Sequence, residues 1–222
     1  MTFSDKAIKM PSYKTKNIWE KIQDKFRYGL ILQSIKNRLE IMGILWFTPY
    51  YIVQEGIGEI VIPEAKCDLS DYSLEFFEPV DMKAIGEEKC GYSEERMIAM
   101  LEEGKKCYGM KFNGEIAVFM WIDLKECHYR PSRVPLEKSE AYLFHMYTMY
   151  PHRGKNLAPY LRYKCYEMLR EMGRDTFYSV TEYFNSASMK FKQKLKAKPL
   201  KLIFYIELFR KLRWSFTIKK YS

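Results

Sequence analysis

Apolar positions recur along this chain with two periods, and the switches between them mark out its elements. From Thr15 to about Met42 they follow helical spacing, Ile18, Ile22, Phe26 and Leu30, then Ile35, Leu39 and Met42, which places them on one helix face. Thr15 or Asn17 can cap this run and Gly43 can stop it, while Gly29 and a shift of phase near Ile31 predict a kink or two shorter helices. Trp46–Gln54 and Glu59–Pro63 flank Gly56-Ile57-Gly58 and predict a hairpin; Tyr72–Pro79 predicts another strand and Ser93–Glu103 a helix. Cys107–Phe112 and Glu115–Ile122 enclose Asn113-Gly114, a strong hairpin signal. Residues 123–139 hold Pro131 and Pro135 and show no periodicity, which predicts a long loop. Strand character returns over Ala141–Met149. Leu157, Leu161, Cys165, Met168 and Met172 then form one helical stripe ending at Gly173. A strand over Thr176–Thr181, a helix over Ser186–Leu195 and strands over Leu200–Phe209 and Trp214–Ile218 complete the reading. Strands before, between and after two helices predict an α/β (mixed-sheet) fold covered by helices.

Composition narrows this modestly. With 222 residues, 47% of them hydrophobic, the chain can bury a sizeable core. The start lacks the apolar stretch of a secretory leader, and Ile41–Val53 is too short and too broken to span a bilayer. Five cysteines without a Cys-x-x-Cys pair suggest reduced thiols and a cytoplasmic location. The three histidines show no zinc-like spacing, so no metal is expected. Of the net charge of +9, the last forty residues hold eleven Lys/Arg against Glu207 alone. That excess suits an anionic partner: nucleic acid, an acidic membrane surface or a phosphorylated ligand. The basic face of the 15–42 run would suit a membrane surface as well as packing on its own domain.

The chemistry concentrates at Arg153-Gly154-Lys155-Asn156-Leu157-Ala158, between the strand 141–149 and the helix 157–172. Such a corner leaves unpaired N–H groups at a positive helix end, which favours an anion. Some thirty residues on lies Asn185-Ser186-Ala187-Ser188, followed by Lys194-Leu195. Together these segments resemble the GNAT superfamily of acyl-CoA N-acyltransferases, whose turn reads Gln/Arg-x-x-Gly-x-Gly/Ala and whose next helix commonly begins Asn-x-x-Ala/Ser and ends Lys-Leu-Gly-Phe. Arg153, Ala158, Asn185, Ser188, Lys194 and Leu195 match; Asn156 replaces the middle Gly, and Lys196-Ala197 replace Gly-Phe. The resemblance covers roughly Tyr72 to the C-terminus and is closest in the last third. It implies a GNAT-like domain over 66–222 preceded by a helix-and-hairpin extension over 1–65.

It further implies acetyl-CoA as acyl donor and a primary amine of a small molecule or amino sugar as acceptor. The pyrophosphate would rest on the amides from Arg153 through Gly154, Lys155, Asn156 and Leu157 to Ala158. Main-chain groups of Met146, Tyr147 and Thr148 would pair with pantetheine. Asn185 would bond the cofactor through its amide or cap its helix. Glu140 and His145 are the candidates for the base that takes the amine's proton, an imidazole suiting neutral pH. The family's frequent acid, a Tyr in the last helix, is replaced by Lys192, with Tyr178 and Tyr183 nearby in sequence. The competing reading is a non-catalytic module of the same fold that grips nucleic acid or an anionic surface through its basic C-terminal region. The alternation of Lys190, Lys192, Lys194, Lys196 and Lys198 resembles a solvated face more than a nucleic-acid track, so no nucleic acid is expected, although Lys190, Lys192 or Lys194 would be placed to reach CoA phosphates.

Overall fold

The computed structural model describes residue 38, residues 40–88 and residues 90–221. Apart from its last positions, the helix expected over 15–42 lies outside them. The chain divides into two units, residues 1–46 with 208–211 and residues 47–207 with 212–222. In the first, Phe209 N–H donates to the Ile44 carbonyl over 2.9 Å, and Phe209 and Arg210 take φ of +51° and +57°. Two successive left-handed residues make the tight turn that right-twisted hairpin strands require.

The strands and helices run in the order β1 (Leu45–Glu55), β2 (Tyr72–Phe77), α1 (Pro79–Glu87), α2 (Glu94–Glu102), β3 (Lys106–Phe112), β4 (Glu115–Asp123), β5 (Glu126–Tyr129), β6 (Ser132–Pro135), β7 (Glu140–Thr148), α3 (Leu157–Glu171), β8 (Thr176–Glu182), α4 (Ser186–Lys194), β9 (Lys198–Leu208) and β10 (Leu212–Lys220). Eight strands form one mixed sheet in the order β10-β9-β1-β8-β7-β4-β3-β2, and β5 pairs with β6. β4 is buried on both faces. Its Val118, Met120 and Ile122 pack with Leu157, Leu161 and Cys165 of α3, while Phe119 and Trp121 pack with Met82 and Ile85 of α1 and Met97 and Met100 of α2. Period-two alternation thus serves two helical layers at once.

Three expectations change. Glu59–Pro63 forms no strand. β1 pairs antiparallel along β8 instead, from Tyr50↔Glu182 to Glu55↔Phe177. From Phe47 onward its aromatic and β-branched residues are buried or half-buried on both faces, as an interior strand needs. The stretch 123–139 holds the β5–β6 hairpin; its four-residue strands are too short for alternation to stand out. α1 had no prediction, although Pro79 and Asp81 mark its start: Asp81 Oδ2 accepts the Glu78 N–H at 2.9 Å.

Two features set β7 apart from the other strands. β7 and β8 pair in parallel at Glu140↔Thr176, Ala141↔Phe177 and Tyr142↔Tyr178, and the ladder goes no further, so the strands diverge toward their C-terminal ends. On its other edge β7 stays paired with β4, with a register shift between Phe119 and Trp121, opposite Tyr147 and Phe144. The bulge carries His145 at φ +47°, a left-handed conformation that an imidazole residue seldom adopts.

Candidate functional site

The divergence of β7 from β8 leaves main-chain groups of β7 beyond Tyr142 on an edge that no strand of the described residues occupies. Met146, Tyr147 and Thr148 lie there, between the bulge and the turn 153–158. An extended chain laid along this edge would find donors and acceptors at strand spacing. Because the two strands are parallel, the turn after β7 and Asn185 after β8 both belong to the open end of the gap.

The turn is built to leave its helix end open. Asn156 stands at the N-cap of α3 with φ +60°, makes no side-chain cap, and no acid occupies the first turn. Its side chain instead donates from Nδ2 to the Glu64 carbonyl at 2.6 Å, and the Lys155 carbonyl accepts the Lys66 N–H at 2.8 Å. The left-handed backbone explains why Asn is accepted where the family's pattern has Gly. Gly154 takes φ +79°, and a Cβ there would meet nothing within 4 Å, so the space beside it is open. Leu157 is buried and anchors the helix, with Ala158 packed against the same cluster. Arg153 folds back, donating from Nε to the Thr148 carbonyl at 3.1 Å and from Nη2 to the Tyr147 hydroxyl at 3.2 Å. Lys155 Nζ lies 5.8 Å from the Phe112 ring centre. Asn185 does cap α4: its Oδ1 accepts the Ser188 N–H at 3.0 Å, which leaves its amide donors to face outward.

The two candidate bases differ sharply in surroundings. Glu140 stands at the closed end of the strand pair, and both oxygens are engaged: Oε1 accepts the Tyr178 hydroxyl at 3.0 Å and Oε2 the Glu137 N–H at 2.9 Å. His145 stands on the bulge, its ring 4.4 Å from that of Tyr92. Its Nε2 is buried without a hydrogen-bond partner among the described residues, and burial lowers its pKa, favouring the neutral imidazole. Tyr178 hydrogen-bonds Glu140 and has its pKa pushed up to about 12, first by burial. Tyr183 is half-exposed and stacks on Tyr51, ring centres 5.5 Å apart.

On the α3–α4 face lies a buried ionic cluster that sequence reasoning missed. Glu55, 1% exposed at the end of β1, faces Arg162 of α3 (Nε to Oε2, 3.2 Å) and Lys192 of α4 (Nζ to Oε1, 3.3 Å). Tyr166 donates to Glu55 Oε2 at 2.5 Å, and Ser179 donates to Oε1. Lys192 also donates to Ser179 Oγ at 2.6 Å and to Thr181 Oγ1 at 2.5 Å. Burial pushes the Glu55 carboxyl up, but Arg162 and Lys192 outweigh it and hold it at about 2; burial brings Lys192 down to about 8 against the pull of Glu55. Lys192 is therefore no part of a solvated face and cannot reach out to a phosphate, contrary to expectation: the α4 face it shares with Phe191 and Leu195 turns inward. One carboxylate against two cations leaves the cluster one positive charge in excess, beneath Ser179 and Thr181, the β8 residues just beyond the divergence. No sequence signal marks it, since Lys192 sits among other lysines and Arg162 two residues from Lys164, and nothing in the chain pairs them with Glu55 until β1 is placed beside β8.

On the opposite face, Tyr142 and Phe144 of β7, Arg96 and Met100 of α2, and the β5–β6 hairpin enclose a cavity of about 300 Å³. Beside it Asp123, Glu126 and His128 bring donor atoms within 4.8 Å of one another, but Lys105 and Arg133 already approach these carboxylates, at 3.7 and 3.3 Å. The five cysteines are unpaired.

No family model and no curated protein matches the sequence. Solved structures do match. A putative GNAT acetyltransferase from Novosphingobium aromaticivorans aligns at a TM-score of 0.51 and 14% identity over 72% of this chain and 64% of its own. A tandem GNAT protein from the clavulanic acid biosynthesis pathway gives 0.55 and 13% over 77% and 57%. A GNAT acetyltransferase from Colwellia psychrerythraea gives 0.55 and 14% over 78% and 60%. The chain thus spans about three fifths of the length of these structures, and at such identity the likeness is one of fold. With its large mixed sheet and covering helices, the chain has the fold of solved GNAT-family acetyltransferases.

Proposed function

We propose that this chain transfers an acyl group, acetyl in the first place, from acyl-CoA to a primary amine, as a cytoplasmic enzyme. The observation that carries the reading is the gap between β7 and β8, open beyond Tyr142 and ending at the uncapped N-terminus of α3. The amides of 154–158 receive the pyrophosphate, Gly154 giving it close approach, and the free edge of Met146–Thr148 aligns pantetheine as an added strand. Asn185 adds its outward amide. The division into an extension over 1–65 and a catalytic domain over 66–222 is part of the same proposal.

Of the two candidate bases, His145 is favoured. Both Glu140 oxygens are occupied at the closed end of the strands, whereas His145 stands on the bulge with its buried Nε2 unpartnered among the described residues and its pKa lowered by burial. The acceptor attacks as its neutral amine: its nitrogen bonds to the thioester carbonyl carbon, His145 takes the one proton that nitrogen sheds in becoming an amide, the C–S bond breaks, and CoA leaves as thiolate. The excess positive charge of the Glu55–Arg162–Lys192 cluster favours that thiolate. The acceptor is a small amine that enters from the α1–α2 face. Calorimetric titration with acetyl-CoA, followed by CoA release from an amine panel, tests the reading. The expected result is binding at micromolar to millimolar ligand with a raised melting temperature; no binding at millimolar acetyl-CoA overturns it.

A further inference from the structure

We infer that the cavity between α2, the β5–β6 hairpin and β7 selects an acceptor in which an aromatic or flat apolar body joins the reactive amine to an anionic group, a carboxylate or a phosphate. The inference rests on the amine-acyltransferase reading and deepens it. The cavity, of about 300 Å³, has the volume of a small-molecule site. Among the described residues its lining includes Arg96, Lys105, Arg130 and Arg133 and no Asp or Glu. Acids outside the lining engage three of these cations: Arg96 Nη1 meets Glu103 Oε1 at 2.8 Å, Arg133 Nη1 meets Glu126 Oε1 at 3.3 Å, and Lys105 Nζ is held between Glu103 and Asp123. Each arginine contact uses one nitrogen of a planar five-donor group, so it orients the guanidinium and leaves other N–H groups for a ligand. A molecule entering the cavity thus meets donors and no carboxylate.

The hairpin that carries Arg130 and Arg133 is held in place. Tyr50 of β1 donates to the Arg130 carbonyl at 2.6 Å, and Tyr142 of β7 donates to the His128 carbonyl at 3.0 Å. Donors on a tethered element lose little freedom when they bind an anion. The other walls include Tyr92, Tyr129, Tyr142 and Phe144, of which Tyr142 and Phe144 stack at 5.2 Å with planes 9° apart. These rings suit a flat body. Tyr142 is also the last β7 residue paired to β8, and Tyr92 contacts His145, so one end of the cavity abuts the place where the strands part. An amine held there faces the proposed acyl site while its anion rests among the arginines.

The test uses the full chain with acetyl-CoA and three acceptors that share one amine: benzylamine, 4-(aminomethyl)benzoate and 4-(aminomethyl)phenylphosphonate. We expect kcat/KM for at least one anionic acceptor to exceed that for benzylamine more than tenfold, the better of the two identifying carboxylate or phosphate. In Arg96→Gln/Arg133→Gln this ratio should fall below threefold, and the Arg→Lys pair should restore it in part. Both side chains are half-exposed or more, and an unchanged melting temperature confirms that the variant folds. Equal rates with neutral and anionic acceptors overturn the inference and leave the acyltransferase reading standing. Should acetyl-CoA bind but no amine react, calorimetry with benzoate and phenylphosphonate decides: binding lost in the double variant upholds the anion site, and no binding to the wild-type chain overturns it.

Discussion

Replacing Glu55 by Gln tests the buried cluster most directly. Gln keeps the volume, but its amide offers one oxygen where the carboxylate offered two, so it keeps the hydrogen bond from Tyr166 or from Ser179 and not both; the change removes the charge and one accepted hydrogen bond. Arg162 and Lys192, 2% and 3% exposed, would then face each other without a counter-ion. Losing one member of a buried ion pair costs about 3–5 kcal/mol. The carboxyl itself gives a second figure: it is held at about 2 against an ordinary 4.5, and ~1.4 kcal/mol per unit makes about 3 kcal/mol. Lys192 limits the damage, because without Glu55 its pKa falls further and it sheds its proton, whereas Arg162 cannot. The expected loss at pH 7 is therefore about 3 kcal/mol, a sizeable part of the ~5–15 kcal/mol that holds a typical domain. For a chain of this length it appears as a fall of about 6–12 °C in melting temperature.

Urea denaturation of both proteins at several pH values provides the assay. Because the folded pKa of Glu55 is depressed, its contribution is fully present above the unfolded value of 4.5 and is lost as pH falls toward about 2. The gap between wild type and Glu55→Gln should accordingly be widest near neutrality and close in acid. Adding Lys192→Met to Glu55→Gln should cost much less than the two single losses together, since the second change removes a cation that the first left unpaired. A loss below ~1 kcal/mol at pH 7, a gap that ignores acid, or additive losses would refute the account.

Three more outcomes are expected from the same geometry. Wild-type stability should rise between about pH 8 and 9, because folded Lys192 releases its proton near 8 while the unfolded lysine keeps its own to 10.5; in Lys192→Met the urea midpoint should lose that rise. His145→Gln should lower kcat/KM by about 10²–10⁴-fold with unchanged CoA affinity by calorimetry, and the acid limb of the wild-type pH–rate profile should fall below pH 6.5, the direction in which burial moves this imidazole; an unaltered rate would remove His145 from the mechanism. Gly154→Val places a branched side chain at φ +79° in the open space beside the turn, so CoA binding measured by titration should weaken at least tenfold in a folded variant, and unchanged affinity would move the phosphate site elsewhere.

The sequence showed the parts of this fold that are local. Asn113-Gly114 marks the β3–β4 hairpin because only a few residues tolerate its left-handed turn, and the stripe from Leu157 to Met168 marks α3 because a helix declares its buried face every 3.6 residues. The turn 153–158 was legible for the same reason: strand, corner and helix lie within one short segment. The ionic cluster was not, since Glu55, Arg162 and Lys192 are far apart in sequence and meet only when β1 inserts between β8 and β9. Lys192 misled in particular. In a helix rich in lysine one charge looks like its neighbours, and only packing separates the inward one. The cavity between α2 and the β5–β6 hairpin was equally hidden, for its arginines come from α2 and from a hairpin whose strands are too short to announce themselves.

The position of β1 ties these features together. A strand that parts from its neighbour gives up ladder hydrogen bonds, and an interior strand with one edge released is free to twist or slip. β8 is in that position beyond Tyr178, where β7 leaves it. β1 pairs with its other edge over six successive residues, from Glu55↔Phe177 to Tyr50↔Glu182, spanning the whole length over which β7 is absent. At the closed end of that span Glu55 reaches Lys192, which in turn holds Ser179 and Thr181, the β8 side chains that the divergence leaves without support from β7. The gap is thus held open from behind, by backbone pairing along one edge and by a buried charge network under one face. If so, the cost of removing Glu55 should reach beyond global stability: amide exchange of Ser179 and Thr181 should accelerate more than that of the paired strands β3 and β4. Uniform acceleration across the sheet would show that the cluster stabilises the fold without fixing the gap.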